Sequence, residues 1–414
     1  MPTGATGADT ADFLIIGAGV VGLTAALELR RRYPDAAITV IDKEKTLAAH
    51  GSGRNSGVLH AGFYYTADSL KARFTRDGNR LWQDYCDEKG LRINRCGKLV
   101  VAADATEVDG LRELKRRGER NGVELHWMTA AEAREVEPRV KTHEYALFSP
   151  ATASLDPTEA MAALHRDCLD QGVSVRLGVA YAGVDPARRS VHTDDGVVKA
   201  GYALNAAGLY ADRIARDFGF SRDHRILPFK GLYLYPDKGS YRPRVNIYPV
   251  PNLKHPFLGV HFTSTVNGDT KIGPTAIPAL WREHYAGMAN FRASELAEVL
   301  AREAELFAFN RFGFRSLAFE EVRKYRRRYM IDGAARMLEG VETMGFRHWG
   351  KPGIRAQLID IRRKALEMDF RTEGDGWSLH VLNAVSPAFT CAFPFAGYLA
   401  DQMENLAAGE RTEG

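Results

Sequence analysis

Gly17, Gly19 and Gly22, followed by Asp42, are the residues whose spacing first suggests chemistry. From residue 12 the chain reads DFLIIGAGVVGLTAALELRRRYPDAAITVIDKE: a β-branched apolar run, a glycine turn, an Ala/Leu-rich helix and a second strand closing on Asp42. In a strand–turn–helix–strand unit, Gly17 permits the tight turn and Gly19 lets backbone N–H groups approach a pyrophosphate, with Val20 at the helix start. Gly22 lets the helix pack closely on the sheet, and Asp42 sits where a carboxylate can hold a ribose hydroxyl. Lys43 joins the cofactor-facing set, although repulsion by Asp42 argues against a 2′-phosphate partner.

A second stretch is too polar for a core strand. HGSGRNSGVLHAGFYY, residues 50–65, holds four glycines, two histidines, an Arg-Asn pair and two tyrosines. Ser52, Arg54, Asn55, Ser56, Gly57 and Val58 read as a loop shaped to run along a cofactor, with Arg54 and Asn55 serving its phosphates or the loop's own geometry. His60 follows, and a histidine titrates near neutral pH.

Composition bounds what these groups serve. With 414 residues, 45% hydrophobic and 26% charged, the chain suits a two-part globular protein. A net charge of +4 is mild beside the dense basic stripes of nucleic-acid binders and fits small anionic substrates better. Cys86, Cys96, Cys168 and Cys391 form no Cys-x-x-Cys pair, so neither a metal site nor a disulfide framework is expected, and a cytoplasmic, reducing location is. No apolar run reaches membrane-spanning length, and residues 1–11 read as a disordered leader.

Other elements must choose the nucleotide, because NAD and FAD present the same ADP half to such a fingerprint. Residues 173–215 read as short alternating strands, then an apolar strand ending at Asn205-Ala206-Ala207-Gly208 and a helix. Before them Asp156, Pro157 and Glu159 make a helix start. Near the C-terminus HVLNAVSPAFTCAFPFAGYLADQM runs a strand into Ser386 as N-cap and Pro387 as first helical residue. NAAGLYADRIA is similar to the second FAD-contacting segment of the glycine oxidase and sarcosine oxidase group, the D-amino-acid-oxidase-like oxidoreductases. That resemblance implies FAD, with Ala207 and Gly208 against it and the last helix aimed at the flavin. No second GxGxxG offers a site for NAD, so electrons are expected to leave to oxygen, a quinone or an electron-transfer protein.

The middle of the chain narrows the resemblance. PFKG, NIYPVP, HPFLGVHFT and IGPTA, with RNSGVLHAGFYY, CGKLVVA, GIRAQ and NAVSPAFT, closely resemble the L-2-hydroxyglutarate dehydrogenase/oxidase family from about residue 12 to 403. The resemblance implies oxidation of L-2-hydroxyglutarate to 2-oxoglutarate by hydride transfer from C2 to flavin N5, with noncovalent FAD favoured. Rival readings are a same-fold enzyme acting on an amino acid, a secondary amine or glycerol 3-phosphate, and a noncatalytic flavin-binding redox sensor. Such an oxidation needs a base for the hydroxyl proton and cationic or multi-donor groups for two carboxylates.

Of twelve histidines, His60 and His261 sit inside the matching motifs and are the candidates for the base. His60 is read first as a flavin neighbour, against a loop-orienting histidine or a covalent flavin attachment point. Arg355, whose planar fork suits a carboxylate, leads the substrate-binding candidates, followed by Tyr64, Tyr248 and Lys230. Gly353, Ser386 and Pro387 complete the cofactor set. The run Arg323, Lys324, Arg326, Arg327, Arg328 reads as a solvated helix face in preference to a peripheral contact with an anionic membrane.

The expected architecture is α/β, with a Rossmann-like FAD-binding domain from residues 12–88, 146–225 and 341–414. A second substrate domain, from residues 89–145 and 226–340, is built on a mixed or antiparallel sheet plus helices. Residues 290–340 are helical in pattern and match no motif.

Overall fold

The first apolar run becomes Asp9–Ile16, the strand on which the nucleotide half is built. It pairs in parallel with Ile38–Asp42 on one side and Gly196–Asn205 on the other. In the computed structural model, residues 9–67, 69–251, 259–310 and 314–409 are described. The expected leader residues 1–8 lie outside them, as do residues 252–258, which include the first four of HPFLGVHFT, and 311–313 within the helical segment. Residues 9–11, expected in the leader, are strand instead: Asp9, Thr10 and Ala11 pair with Val198, Lys199 and Ala200.

The chain divides into one unit of Met1–Gly53, Thr158–Ile226 and Leu358–Gly414, and another of Arg54–Pro157 and Leu227–Gln357. In the first, an eight-stranded sheet runs Tyr181–Asp185, Ser190–Thr193, Gly196–Asn205, Asp9–Ile16, Ile38–Asp42, Ser174–Leu177. Ser378–Asn383 joins it on Gly196–Asn205, with Arg371–Gly374 beyond. The helix Val20–Arg32 buries Leu23, Ala25, Ala26 and Leu29 and packs against the last helix, Ala388–Ala407. That helix starts one residue later than expected. Pro387, at φ −102° and ψ 45°, is not helical and takes the N-cap position, without a side-chain cap from Ser386.

In the second unit the alternating middle of the chain forms another eight-stranded sheet. Its order is His348–Trp349, Leu234–Tyr235, Thr270–Gly273, His261–Ser264, Asn246–Pro249, Lys98–Val101, Tyr145–Ser149, His126–Thr129. All pairs are antiparallel except the parallel pair of Asn246–Pro249 with Lys98–Val101. Side chains alternate between faces along a strand, so each strand supplies both.

One face is hydrocarbon. Leu99, Val101, Ile247, Phe262 and Ile272 are buried with Met330 and Ala334 of the helix Arg327–Ala335, and with Met337, Leu338, Met344 and Phe346. Burying one such side chain contributes about 2–3 kcal/mol. The segment that matched no motif thus supplies the helix that covers this face; Ala293–Phe309 and Phe314–Arg323 are its other helices.

Three expected boundaries differ from the observed units. Residues 54–88 lie in the second unit because Val58–Leu59 pairs with Ala153–Leu155, and Asn79 on the helix Leu70–Lys89 donates to the Leu59 and Ala151 carbonyls. Residues 146–157 follow because Tyr145–Ser149 is a strand of that sheet, and 341–357 because Val341, Met344 and Phe346 fill its apolar side.

Candidate active site

In the first unit the site is made of backbone. Gly17 has φ +114°, and a Cβ there would lie 2.6 Å from the Ala206 carbonyl oxygen. A Cβ on Gly22 would lie 1.9 Å from the Gly17 carbonyl oxygen. Both glycines are therefore required by contact, and their lack of side chains leaves the start of the helix Val20–Arg32 open to an anion. The Ser52 hydroxyl accepts from the Val20 amide at 2.9 Å, closing the first turn, and a Cβ on Gly19 would meet that hydroxyl at 3.1 Å. Asp42 accepts from the Ala18 amide at 2.8 Å and from the Glu44 amide at 2.8 Å. It ties the glycine turn to the second strand, and each carboxylate oxygen keeps a further lone pair for a ribose hydroxyl. Asn205 orients the following turn by accepting from the Ala207 amide at 3.2 Å, and Gly208 adopts φ +52°.

These features fit an ADP-bearing cofactor. Lys43 instead pairs with Glu44, lies 3.3 Å from His50 and stands 5.4 Å from the centre of the Tyr210 ring.

In the second unit the loop residues turn on themselves. Asn55 accepts from the Gly57 amide at 2.8 Å, Ser56 from the Val58 amide at 3.3 Å, and Arg54 stacks 4.3 Å over Tyr285 while donating to the Pro352 carbonyl. A Cβ on Gly353 would lie 2.1 Å from the Arg54 carbonyl oxygen, so that glycine serves close approach of loop and strand.

The polar face of the eight-stranded sheet gathers the candidate catalytic groups. Alternation brings Lys98, Asn246, Tyr248, His261, Thr263 and Lys271 to the side opposite the hydrocarbon, and all are at least nine-tenths buried. His261 stacks on Tyr248 with ring centres 3.8 Å apart, and His60 meets Tyr248 edge-on at 6.5 Å. Nδ1 of His261 lies 2.9 Å from the Gly259 carbonyl oxygen. A carbonyl can only accept, so Nδ1 carries the hydrogen and Nε2 keeps the lone pair.

Burial pushes the His261 imidazole down to about 3 against the opposing bond to Gly259, and the charges of Lys98, Lys271 and Lys324 each add a smaller push. Burial likewise holds His60 well below the usual range, with Lys98 and His261 adding to it. The imidazoles are neutral at ordinary pH.

Lys98 and Lys271 were not among the expected site residues. Lys98 Nζ sits 4.9, 4.7 and 4.6 Å from the ring centres of Phe63, Tyr64 and Tyr248 and makes no hydrogen bond among the described residues; burial pushes it down to about 7. Lys271 lies 4.4 Å from the Tyr233 ring centre, and burial, opposed by Asp156, pushes it to about 8. The sequence signal was present: in GKLVVA and TKIG a lysine stands inside a strand whose other positions are all core.

Among the expected substrate residues, Tyr64 and Tyr248 are walls of this aromatic box, and neither hydroxyl finds a hydrogen-bond partner among the described residues. That of Tyr248 lies close to the Thr263 hydroxyl without hydrogen-bond geometry. Lys230 is 7% exposed and lowered by burial, while its carbonyl accepts from Thr275. Arg355 keeps partial exposure along its chain, and desolvation of its guanidinium presses it to about 10 against the pull of Tyr65.

The basic run departs from a uniformly solvated face. Lys324 is 3% exposed and paired with Glu321, while Arg328 is exposed and bridges Asp332 at 2.8 Å.

A model of FAD dependent oxidoreductases matches residues 12–402. The chain is 32% identical to the L-2-hydroxyglutarate dehydrogenase of Escherichia coli K12, over 97% of this chain and 95% of that one. It is 33% identical to the mitochondrial L-2-hydroxyglutarate dehydrogenase of Homo sapiens, over 95% and 88%. Among solved structures, an L-α-glycerophosphate oxidase from Mycoplasma pneumoniae with FAD bound superposes with TM-score 0.74 at 21% identity, covering 96% and 95%. A glycine oxidase from Bacillus cereus gives 0.68 at 15%, covering 95% of each chain.

Proposed function

The chain belongs to the FAD-dependent oxidoreductases, and from that premise we propose that the polar sheet face is an L-2-hydroxy-dicarboxylate site in which His261 receives the hydroxyl proton. The reaction is the FAD-dependent oxidation of L-2-hydroxyglutarate to 2-oxoglutarate. Bound FAD supplies the acceptor for the hydrogen that leaves C2 as hydride. Gly17, Gly19, Val20, Gly22, Asp42, Ala207 and Gly208 would hold it.

The observation that carries the role of His261 is its bond to the Gly259 carbonyl, which leaves Nε2 as the bare acceptor. Its low proton affinity reflects burial first, with the charges of Lys98, Lys271 and Lys324 adding to it. A bound dicarboxylate brings two negative charges, which raises the affinity of Nε2 for the proton. The base thus becomes competent when a doubly charged substrate is present, and a monocarboxylate offsets less. Arg355 and Lys230 are the proposed holders of the carboxylates, and His60 the second donor to the substrate oxygen.

Anaerobic bleaching of the flavin by L-2-hydroxyglutarate tests this reading. Bleaching by an amino acid or glycerol 3-phosphate, with none by L-2-hydroxyglutarate, overturns it, and a flavin that no donor bleaches favours a noncatalytic role.

The electrons leave to oxygen, a quinone or an electron-transfer protein, since one glycine fingerprint leaves no separate site for a nicotinamide cofactor. Turnover with oxygen measured against turnover with a quinone analogue separates these acceptors. No described helix is long and apolar enough to cross a membrane.

A further inference from the structure

A lysine that is fully buried is normally paired, and Lys98 is not. No ion pair joins it among the described residues. What faces it is three aromatic rings, the Cys96 thiol, and the imidazoles of His60 and His261. Ring faces stabilise a cation without neutralising it, so the positive field of the ammonium persists on the far side of the rings. Tyr248 is the shared element, for Lys98 Nζ stands over it at 4.6 Å and His261 stacks on it at 3.8 Å. The strands explain this arrangement: Asn246–Pro249, which carries Tyr248, lies between the strand of Lys98 and the strand of His261.

We infer that Lys98 is a positioning residue for the proton-transfer step: its caged ammonium, acting across the Tyr248 ring, adds to the burial that already keeps His261 neutral and so sets how readily Nε2 takes a proton once the anionic substrate arrives. The inference rests on the reading of His261 as the base.

Other charged groups bear on His261. Lys271 stands on the neighbouring strand, Lys324 is paired with Glu321, and the Gly259 carbonyl opposes them. Lys98 differs in sharing a ring with the histidine and in facing no carboxylate, where Lys271 faces Asp156. An unpaired buried charge is also a burden on the fold, which a neutral side chain of similar shape relieves. A lysine kept only for packing would show the reverse.

The test is Lys98→Met in the FAD-loaded enzyme, with two readouts. In anaerobic single-turnover reduction by saturating L-2-hydroxyglutarate, loss of the ammonium raises the proton affinity of His261. The acid limb of the rate then moves up by about half a pH unit, so that at a fixed acid pH the variant runs about threefold slower relative to its own plateau. Titration of the substrate itself is common to both proteins and cancels.

In thermal denaturation at pH 6 the variant melts at or above the unmodified protein. An unmoved acid limb overturns the inference, and so does a variant that melts lower or fails to fold. If L-2-hydroxyglutarate does not bleach the unmodified enzyme, the substrate reading has failed, and the melting comparison still decides whether Lys98 carries an unrelieved charge.

Discussion

The nucleotide site and the polar sheet face are built from opposite materials. In the first unit the working parts are backbone: two glycines whose Cβ atoms would overlap carbonyl oxygens, a helix start, and a carboxylate holding the turn. In the second unit they are side chains, gathered from four neighbouring strands and dominated by burial and charge. A backbone site constrains residue spacing along the chain. A side-chain site constrains which strands lie side by side, leaving residue spacing free.

This contrast predicts different failures. Gly22→Ala should have the largest effect, because its Cβ would lie 1.9 Å from a carbonyl oxygen and push the helix off the turn. The expected outcome is protein purified without flavin, read from absorbance, and a variant with full flavin content would break the contrast. His261→Gln should keep its flavin yet lose about 10²- to 10⁴-fold in the rate of flavin reduction, measured by stopped flow.

On the other face of the same sheet, Phe262→Ala should cost about 3–5 kcal/mol of stability in urea denaturation while the folded fraction reduces its flavin at the normal rate.

The pH dependence sharpens the comparison further. His261 takes up its proton near 3 in the folded protein against 6.5 as its ordinary value. As pH falls below 6.5 the unfolded chain therefore binds the proton first and stability drops, by about 2 kcal/mol at most on reaching pH 5. Lys98 and Lys271, lowered to about 7 and 8 from 10.5, work in the same direction, so stability climbs as pH rises from 7 toward 10.5. His261→Gln should make the acid part of the profile shallower, with buried His60 and His380 supplying the remaining slope, and leave the alkaline part. The smallest effect is expected from Ser52→Ala, which removes the acceptor of the Val20 amide and should cost about 1 kcal/mol, visible as a lower melting temperature.

The same contrast explains what the chain revealed in advance. Gly17, Gly19, Gly22 and Asp42 were legible because one tight turn sets their order, and the alternating strands were legible from their period. His261 became a candidate through its motif. Lys98 and Lys271 were missed because each is a single charged residue in an otherwise ordinary strand, and only pairing across the sheet puts both on the face of His261. The start of the last helix slipped by one residue because local turn geometry at Pro387 overrode the usual preference for a serine cap.

The parallel pairing of Lys98–Val101 with Asn246–Pro249 also governs when the site can exist. Asn246 donates to the Gly97 carbonyl across 149 residues of chain, a closure that is slow to make and cannot begin until the later strand has been synthesised. On the ribosome, the strand bearing Lys98 waits with an unpaired edge while more than half the protein is still to come. A message truncated before Asn246 yields a chain that holds the glycine turn and lacks the neighbour that would shelter the lysine.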